Sequence, residues 1–466
     1  MATVPAVKHT HAEAPRLLRR LSLRDLVWLV IGGSIGSGIF LTPQSVAASL
    51  GTPIPFLFVW LTGLVVTLAG CFAFAELGSM FPETGGQYVY LRHAYGDFVG
   101  FLFGWMIFTV NMTGGCAALA VGFARYVGVV IPQLSADRAL FHMVGMTFSV
   151  GQIIAVLAIV FITVINIFGV KAGAIMQNLA AWTKFGAVAL FIVVGFLLGH
   201  GSAAHFTQAA ASGKSTAVGF GIALIAVFWT FDGWVFAGYV SGEVQRPERN
   251  VPRGMVIGMS IVGTVYVTMN VLYLYAMPVH EIAASSVVAE RAAALLFSPR
   301  FGGAIAALVA VSCFGGAAAA LLAGARVYYA MAEDGLFFRK MAEVHPRWHT
   351  PAFSLIAQGV WTCVLCLTGS YEQLFTYTMF MTIVFYAATV AAVFLFRKRV
   401  PDAERPYRCT GYPWLPAFYI AVTGVWTLNA LIARPKESLS GVAIVLLGVP
   451  AYIYWRRQKQ PRLVNK

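Results

Sequence analysis

Apolar residues run through this chain in repeated stretches of about 18 to 25, the length that crosses roughly 30 Å of hydrocarbon. Twelve such spans can be drawn, at about 26–48, 54–80, 95–130, 150–168, 175–198, 219–241, 252–277, 302–332, 352–368, 372–396, 413–432 and 440–456. The third and eighth are long enough to tilt or to extend past the bilayer. Polar residues break the pattern inside the first span. There Ile31-Gly32-Gly33-Ser34-Ile35-Gly36-Ser37-Gly38 sets four glycines and two serines in the middle of an apolar run. Each glycine costs a helix about 1 kcal/mol against alanine. Freed backbone groups are tolerated at that depth only where protein, water or a ligand takes them up. Two readings compete: a helix broken near the bilayer midplane, or a small-residue face that lets two helices pack closely.

The sixth span carries a second interruption, Phe228-Trp229-Thr230-Phe231-Asp232-Gly233-Trp234, five spans after the first. Paired breaks in corresponding positions of two halves point to a transporter built from inverted repeats, with substrate bound between the breaks. That correspondence favours the broken helix. The expected fold is therefore an all-α polytopic membrane protein of twelve helices with a 5+5 inverted repeat. Repeat one covers about 26–198, repeat two about 219–396, and two further helices about 413–456. A tail of residues 1–25 precedes the single membrane domain 26–456, and a tail of residues 457–466 follows it.

Composition agrees with the pattern. The 466 residues are 59% hydrophobic and only 11% charged, where soluble proteins carry about 25% charged residues. The N-terminal residues are polar and basic, without the short apolar stretch and cleavage site of a signal peptide. A net charge of +14 suggests nucleic acid only until its distribution is read. About 23 basic residues fall in the tails and in loops on the side of the termini, against about 6 on the other side. By the positive-inside rule both termini are cytoplasmic in a cell (inner) membrane, and no nucleic-acid surface is expected. Five of the six cysteines lie within apolar spans and read as small hydrophobes. Cys363-x-x-Cys366 has redox spacing but lacks a βαβ context. There is no G-x-x-x-x-G-K-[ST] loop, no H-E-x-x-H and no metal-spaced histidine cluster. No enzyme, metal or cofactor is expected, and transport must be exchange or be driven by a gradient.

The candidate site follows from the breaks. The half-helix starting near Gly38 points an N-terminus at the membrane centre, where free N–H groups and the dipole attract an anion. Gly36, Ser37 and Gly38 can present N–H groups to a carboxylate. Carbonyls near Ser34 and Ile35, and from Phe228 to Phe231, can accept from an ammonium. Both poles together suit an α-amino acid. Trp229 and Phe231 are candidates for an aromatic gate or side-chain pocket, against the ordinary reading of aromatics as packing. Thr230 lies in the same stretch. Asp232 can meet a cationic side chain or cap the half-helix. Lys184, in mid-span, needs an internal partner because intramembrane charge is costly; its ammonium can brace span 1 against span 8 or couple protons. Glu76 reads as structural. Asn111 and Ser312 are site candidates set against close packing, as are Thr113, Cys313, Gly315 and Gly316.

These segments carry a resemblance. Gly36-Ser37-Gly38-Ile39-Phe40, Phe74-Ala75-Glu76-Leu77-Gly78, Pro82-Glu83-Thr84-Gly85-Gly86-Gln87-Tyr88, Asp232-Gly233-Trp234, Asn250-Val251-Pro252-Arg253 and Ser312-Cys313-Phe314-Gly315 … Ala325-Arg326 are similar to the amino acid–polyamine–organocation superfamily. Within it they resemble the L-type amino acid transporter branch and the bacterial serine/threonine and alanine/serine/cysteine exchangers. The resemblance implies a leucine-transporter-type fold and sodium-independent amino acid exchange by alternating access. It implies that Gly36, Ser37 and Gly38 bind the substrate carboxylate, and that carbonyls of Ser34, Trp229 and Asp232 bind the amine. It puts Trp229 at the aromatic gate and Lys184 in place of a sodium site. Two departures stand out. Val235 replaces an asparagine common after the Gly-Trp, and the loop between spans 3 and 4 has no cysteine, so no disulfide-linked heavy chain is expected. Proton-coupled amino acid symport, polyamine or cationic amino acid antiport, and a non-transporting nutrient sensor are the alternatives.

Overall fold

The computed structural model describes residues 17–143, 146–208, 216–285, 287–298, 301–368, 371–433 and 435–458. Most of the two tails expected from the sequence lies outside the described residues. Among the described residues the fold is all-α apart from one antiparallel pair of short strands. In order, the helices are α1 (Leu23–Ser34), α2 (Gly38–Leu50), α3 (Pro53–Met80), α4 (Gln87–Tyr95), α5 (Asp97–Met106), α6 (Met112–Val130), α7 (Val150–Ile167), α8 (Val170–Leu198), α9 (Thr216–Phe231) and α10 (Phe236–Tyr239). They continue with α11 (Pro247–Ala276), α12 (Val279–Ala284), α13 (Val288–Leu296), α14 (Gly302–Glu333), α15 (Ala352–Thr368), α16 (Tyr371–Arg399), α17 (Trp414–Ala433), α18 (Pro435–Leu446) and α19 (Gly448–Gln458). Strands β1 (Ala139–Met143) and β2 (Met146–Ser149) pair antiparallel in the loop after α6.

Among the described residues nine helical segments are long and apolar enough to cross a membrane, or ten when α1 and α2 count as one span bent by 44°. The expected sixth and ninth spans are shorter apolar helices, Ala217–Phe231 and Ala352–Thr368. At 1.5 Å per residue the latter reaches only about 26 Å. The first span ends where its sequence stops favouring a helix, at Ser34, and restarts at Gly38. The sixth ends at Phe231 and resumes at Phe236, with Gly233 between at φ 112°.

Local signals set the other boundaries. A capping box of Ser22 and Asp25 starts α1, and Ser149 with Gln152 starts α7, each satisfying N–H groups that a helix leaves orphaned. The third span is one element from Asp97 to Val130, interrupted by a π-helical turn at Ile107–Asn111. Such turns release a carbonyl from the ladder and gather at functional sites. Here the Trp361 indole N–H donates to the Thr109 carbonyl at 2.8 Å and Thr113 Oγ1 to that of Phe108 at 3.0 Å.

Small residues let the helices close on one another. A Cβ on Gly254 would stand 2.8 Å from Leu26, and one on Gly258 would stand 2.7 Å from Val30, so α11 lies along α1. Gly315 of α14 packs the same way on Ala180 of α8, the close approach that drives association where the solvent is lipid.

One end of the bundle is clamped by ion pairs. Glu76 of α3, fully buried, accepts from Arg397 at 2.7 Å and from the Cys409 backbone N–H at 2.7 Å, and lies 3.3 Å from Arg405. That matches the structural reading of Glu76. Glu243 and Arg326 pair at 2.7 and 3.1 Å with neither exposed. The Arg20 and Leu21 N–H groups donate to the Glu243 carbonyl, and Leu21 bridges Val244. Asp334 takes the Tyr88 hydroxyl at 3.0 Å and the Arg92 guanidinium.

Candidate functional site

The two breaks touch backbone to backbone. A Cβ on Gly233 would lie 2.8 Å from the Gly33 carbonyl oxygen and from Ser34 N, while Gly33 itself faces the Phe236 ring and Gly38 faces Thr230. Only glycine fits there: the contact leaves no room for a side chain, and the φ of 112° is one that residues with a Cβ rarely adopt. Around this crossing α6, α14, α16 and α17 enclose a cavity of about 770 Å³, within the range of small-molecule sites.

Of the residues singled out from sequence, Ser34, Gly36, Ser37, Gly38, Asn111, Trp229, Thr230 and Asp232 line this cavity. Ile35 and Phe231 do not. Each is turned the other way by the geometry of its helix end: Ile35 is wholly buried beneath the break, and Phe231 packs on Tyr266 and Trp60 with ring centroids at 5.0 and 6.3 Å.

The start of α2 is uncapped by any side chain. Its first backbone bonds are made by Phe40 and Leu41, both to the Ser37 carbonyl, and Gly36 N–H turns back to Ser34. The N–H groups of Ser37, Gly38 and Ile39 therefore make no backbone hydrogen bond among the described residues. Three unpaired donors at the positive end of a 13-residue helix form an anion pole.

Across the cavity the end of α9 presents acceptors. Asp232 Oδ1 takes the Gly233 N–H at 2.9 Å and the Tyr386 hydroxyl at 2.7 Å. Its side chain has no ion pair among the described residues. The Ser34 carbonyl is differently placed. Tyr266 donates to it at 2.6 Å and Gly36 N–H at 2.8 Å, which fills both lone pairs. Tyr266 also reaches the Thr230 carbonyl at 3.1 Å, so one hydroxyl ties the two breaks together. Thr230 Oγ1 bonds Thr42 of α2 at 2.9 Å.

Lys184 and Ser312 stand behind the break, outside the cavity. The Lys184 ammonium, fully buried, donates to the Gly32 carbonyl at 2.6 Å and to that of Ile35. Ser312 Oγ lies 3.0 Å from the carbonyls of both Ile35 and Gly36. The orphaned carbonyls at the end of α1 thus receive one cation from α8 and one hydroxyl from α14. Asn111 closes the π-helical turn and donates to Thr382 of α16 at 2.8 Å.

Several cavity residues carry no sequence signal of their own. Tyr386, Phe380, Trp426 and Tyr239 arrive from distant helices, and Arg125, Glu290 and Glu437 line one end. Among the described residues there is no group of three or more His, Cys, Asp or Glu side chains able to hold a metal ion.

The chain was compared with known proteins. A family described as amino acid permease matches residues 21–450. The serine/threonine exchanger SteT of Bacillus subtilis is 32% identical over 452 residues, covering 96% of this chain and 99% of its own length. The b(0,+)-type amino acid transporter 1 of Mus musculus is 29% identical, covering 96% of this chain and 90% of its own, and the human cystine/glutamate transporter is 27% identical over 97% and 88%. With a match across nearly its whole length and a full-length relative above 30% identity, the chain belongs to the amino acid permease family.

Proposed function

We propose that this protein exchanges amino acids across the cell membrane by alternating access, independently of sodium, and that it works without a heavy-chain partner. The observation that carries the site assignment is the opposition of poles across one cavity: unpaired N–H groups at Ser37, Gly38 and Ile39 face the acceptor end of α9 at Trp229 and Asp232. The substrate carboxylate binds the first pole and its ammonium the second. Trp229 borders the substrate from the side of α9. Because the Ser34 carbonyl is already filled by Tyr266 and Gly36, the amine is held by Trp229 and Asp232, with Ser34 shaping the floor. Lys184 supplies the positive charge that braces the broken helix, so no sodium ion is needed there.

The reading includes twelve spans in one domain, 26–456, as two five-helix repeats plus two helices, with both termini cytoplasmic in the inner membrane. It is supported by the two crossing breaks and by the bias of basic residues. The relatives include a serine/threonine exchanger and the b(0,+)-type transporter, which fits small and neutral amino acids. Asp232 on the cavity wall favours a second substrate group, cationic amino acids.

The test uses purified protein in liposomes. Radiolabelled uptake of a neutral panel plus arginine and lysine is followed with and without internal amino acid, with and without sodium, at two external pH values. Uptake confined to preloaded vesicles and indifferent to sodium is the expected result. Uptake into empty vesicles driven by a proton gradient would replace exchange by symport.

A further inference from the structure

Behind the second break lies a small chamber of about 20 Å³, separate from the large cavity. Asp232, Met379 and Tyr386 line both spaces and so stand between them. Hydroxyl-bearing side chains reach the chamber from three helices: Thr67 of α3, Thr382 and Tyr386 of α16, and Tyr419 and Thr423 of α17.

Two of these hydroxyls are unmet. A threonine inside a helix commonly donates to the carbonyl four residues back, as Thr389 does to Phe385 at 2.8 Å and Thr423 to Tyr419 at 2.7 Å. Thr67 is only 2% exposed, and its hydroxyl makes no hydrogen bond among the described residues. The hydroxyl of Tyr419, 3% exposed, likewise makes none. The Tyr419 ring lies against Gly70, where a Cβ would stand 2.7 Å from it. Gly70 is three residues on from Thr67, so one face of α3 carries both. Asp232 Oδ1 is taken by Gly233 and Tyr386, while its Oδ2 makes no hydrogen bond among the described residues. Buried polar atoms left unmet are costly, and three residues with unmet oxygens border this one space. A water needs about 10–15 Å³ and two to four polar partners.

We propose that the chamber binds one ordered water, which accepts from the Thr67 and Tyr419 hydroxyls and donates to the Asp232 carboxylate. Its size excludes a substrate side chain. Its donor set excludes a cation, which would leave both hydroxyl protons without an acceptor. Thr67 and Tyr419 are then positioning residues. Through the water, α3 and α17 hold the residue that receives the substrate amine, and a bridging water holds nearly as well as a direct hydrogen bond. The effect on transport rests on the amino acid reading above; the bound water does not.

The test reads the water and its effect separately. Purified protein in proteoliposomes receives a brief X-ray pulse, which splits bound water into hydroxyl radicals that mark the side chains touching it, and mass spectrometry locates the marks. Tyr419 and Trp234, each 3% exposed, border the chamber but not the large cavity and should be marked. Trp60, fully buried and outside both spaces, should not. Thr67→Val keeps the shape and removes the hydroxyl. It should lower both marks and raise the KM for serine counterflow by about threefold to tenfold, with a fall in maximal rate of less than about twofold. Thr67→Ser keeps the hydroxyl and should restore marks and KM. Tyr419→Phe should act as Thr67→Val does, with Trp234 reporting, and stands in if that variant fails to insert. Absence of marks on Tyr419 and Trp234 in the unaltered protein overturns the proposal, as do unchanged marks in both variants. Lowered marks with an unchanged KM overturn the positioning role. Marks that shift when sodium is replaced by choline would put a cation in the chamber and overturn the water. Marks without any serine counterflow would overturn the transport reading and leave the bound water standing.

Discussion

Replacing Lys184 by methionine keeps the length and apolar stem of the side chain and removes only its three donors and charge. Two backbone acceptors lose a charged partner, the Gly32 and Ile35 carbonyls. Ile35 retains Ser312 at 3.0 Å; Gly32 retains nothing from a side chain among the described residues. A hydrogen bond to a charged group contributes about 1.5–3 kcal/mol, and an orphaned buried acceptor costs about 1–3 kcal/mol. Removing the desolvation cost of a fully buried ammonium offsets part of this for folding, so thermal stability should change little. The geometry of the break is different: Gln177 holds the Trp28 carbonyl one turn earlier, but among the described residues Lys184 is the side chain of α8 that bonds the last carbonyls of α1. If about 3 kcal/mol of that positioning is lost from the substrate-bound state, affinity falls by about 100-fold at 1.4 kcal/mol per decade. Exchange in proteoliposomes should drop accordingly, while the detergent-purified variant keeps its elution profile. The double variant with Ser312→Ala should fall short of additivity, since both residues serve Ile35. Exchange within twofold of the unaltered protein in Lys184→Met would refute the assignment.

Gly233→Ala introduces a Cβ 2.5 Å from the Gly33 carbonyl carbon and 2.8 Å from Ser34 N at a φ of 112°; transport should be lost and the protein destabilised by several degrees in a melting assay, whereas Gly424→Ala, whose added Cβ meets nothing within 4 Å, should behave as unaltered protein. Asp232→Asn keeps the size of the side chain and removes the cavity's inner charge, so lysine and arginine should lose about tenfold in competition against labelled serine, by the scale of a partly buried charge pair; an unchanged profile would leave Asp232 as a cap bonded to Gly233 and Tyr386. Arg326→Met strands Glu243 without its partner at full burial and should cost about 3–5 kcal/mol. Pairing it with Glu243→Gln should recover most of that loss, and a melting series of the two singles and the double reads the recovery directly.

The architecture was legible because a membrane span writes itself as length and hydropathy, needing no knowledge of its neighbours. The third and eighth spans show this, long in sequence and found as Asp97–Val130 and Gly302–Glu333. The breaks were legible for a related reason: glycine and serine at that depth have no other common use than a break or a close contact, and here they make both. What escaped were elements whose identity depends on partners. The paired strands β1 and β2 and the short helices α4, α12 and α13 lie in loops, where no bilayer enforces an apolar period. The π-helical turn at Ile107–Asn111 depends on Trp361 and Thr113 supplying the donors that its carbonyls need. The ninth span was drawn at its true length, yet that length alone leaves α15 short of a full crossing.

The site divides along the same line. A break announces that backbone groups are free but not which of them stay free once the helices pack. Ser34 and Ile35 are adjacent in sequence and equally eligible as acceptors. Packing gives one to the Tyr266 hydroxyl of α11 and the other to Lys184 and Ser312, residues 149 to 277 positions away. Phe231 and Trp229, two apart on one helix, point to different sides by the 100° step of the helix, and the positions of Tyr266 and Trp60 decide which side is core. The amine pole is therefore narrower than the sequence suggests. Its remaining acceptors lie on α9, opposite the unpaired N–H groups of α2. A substrate held this way touches both broken helices at once, carboxylate to the first and ammonium to the second. In the proposed binding mode, any movement that separates α2 from α9 breaks one of those contacts, so a filled site favours their close placement more than an empty site does.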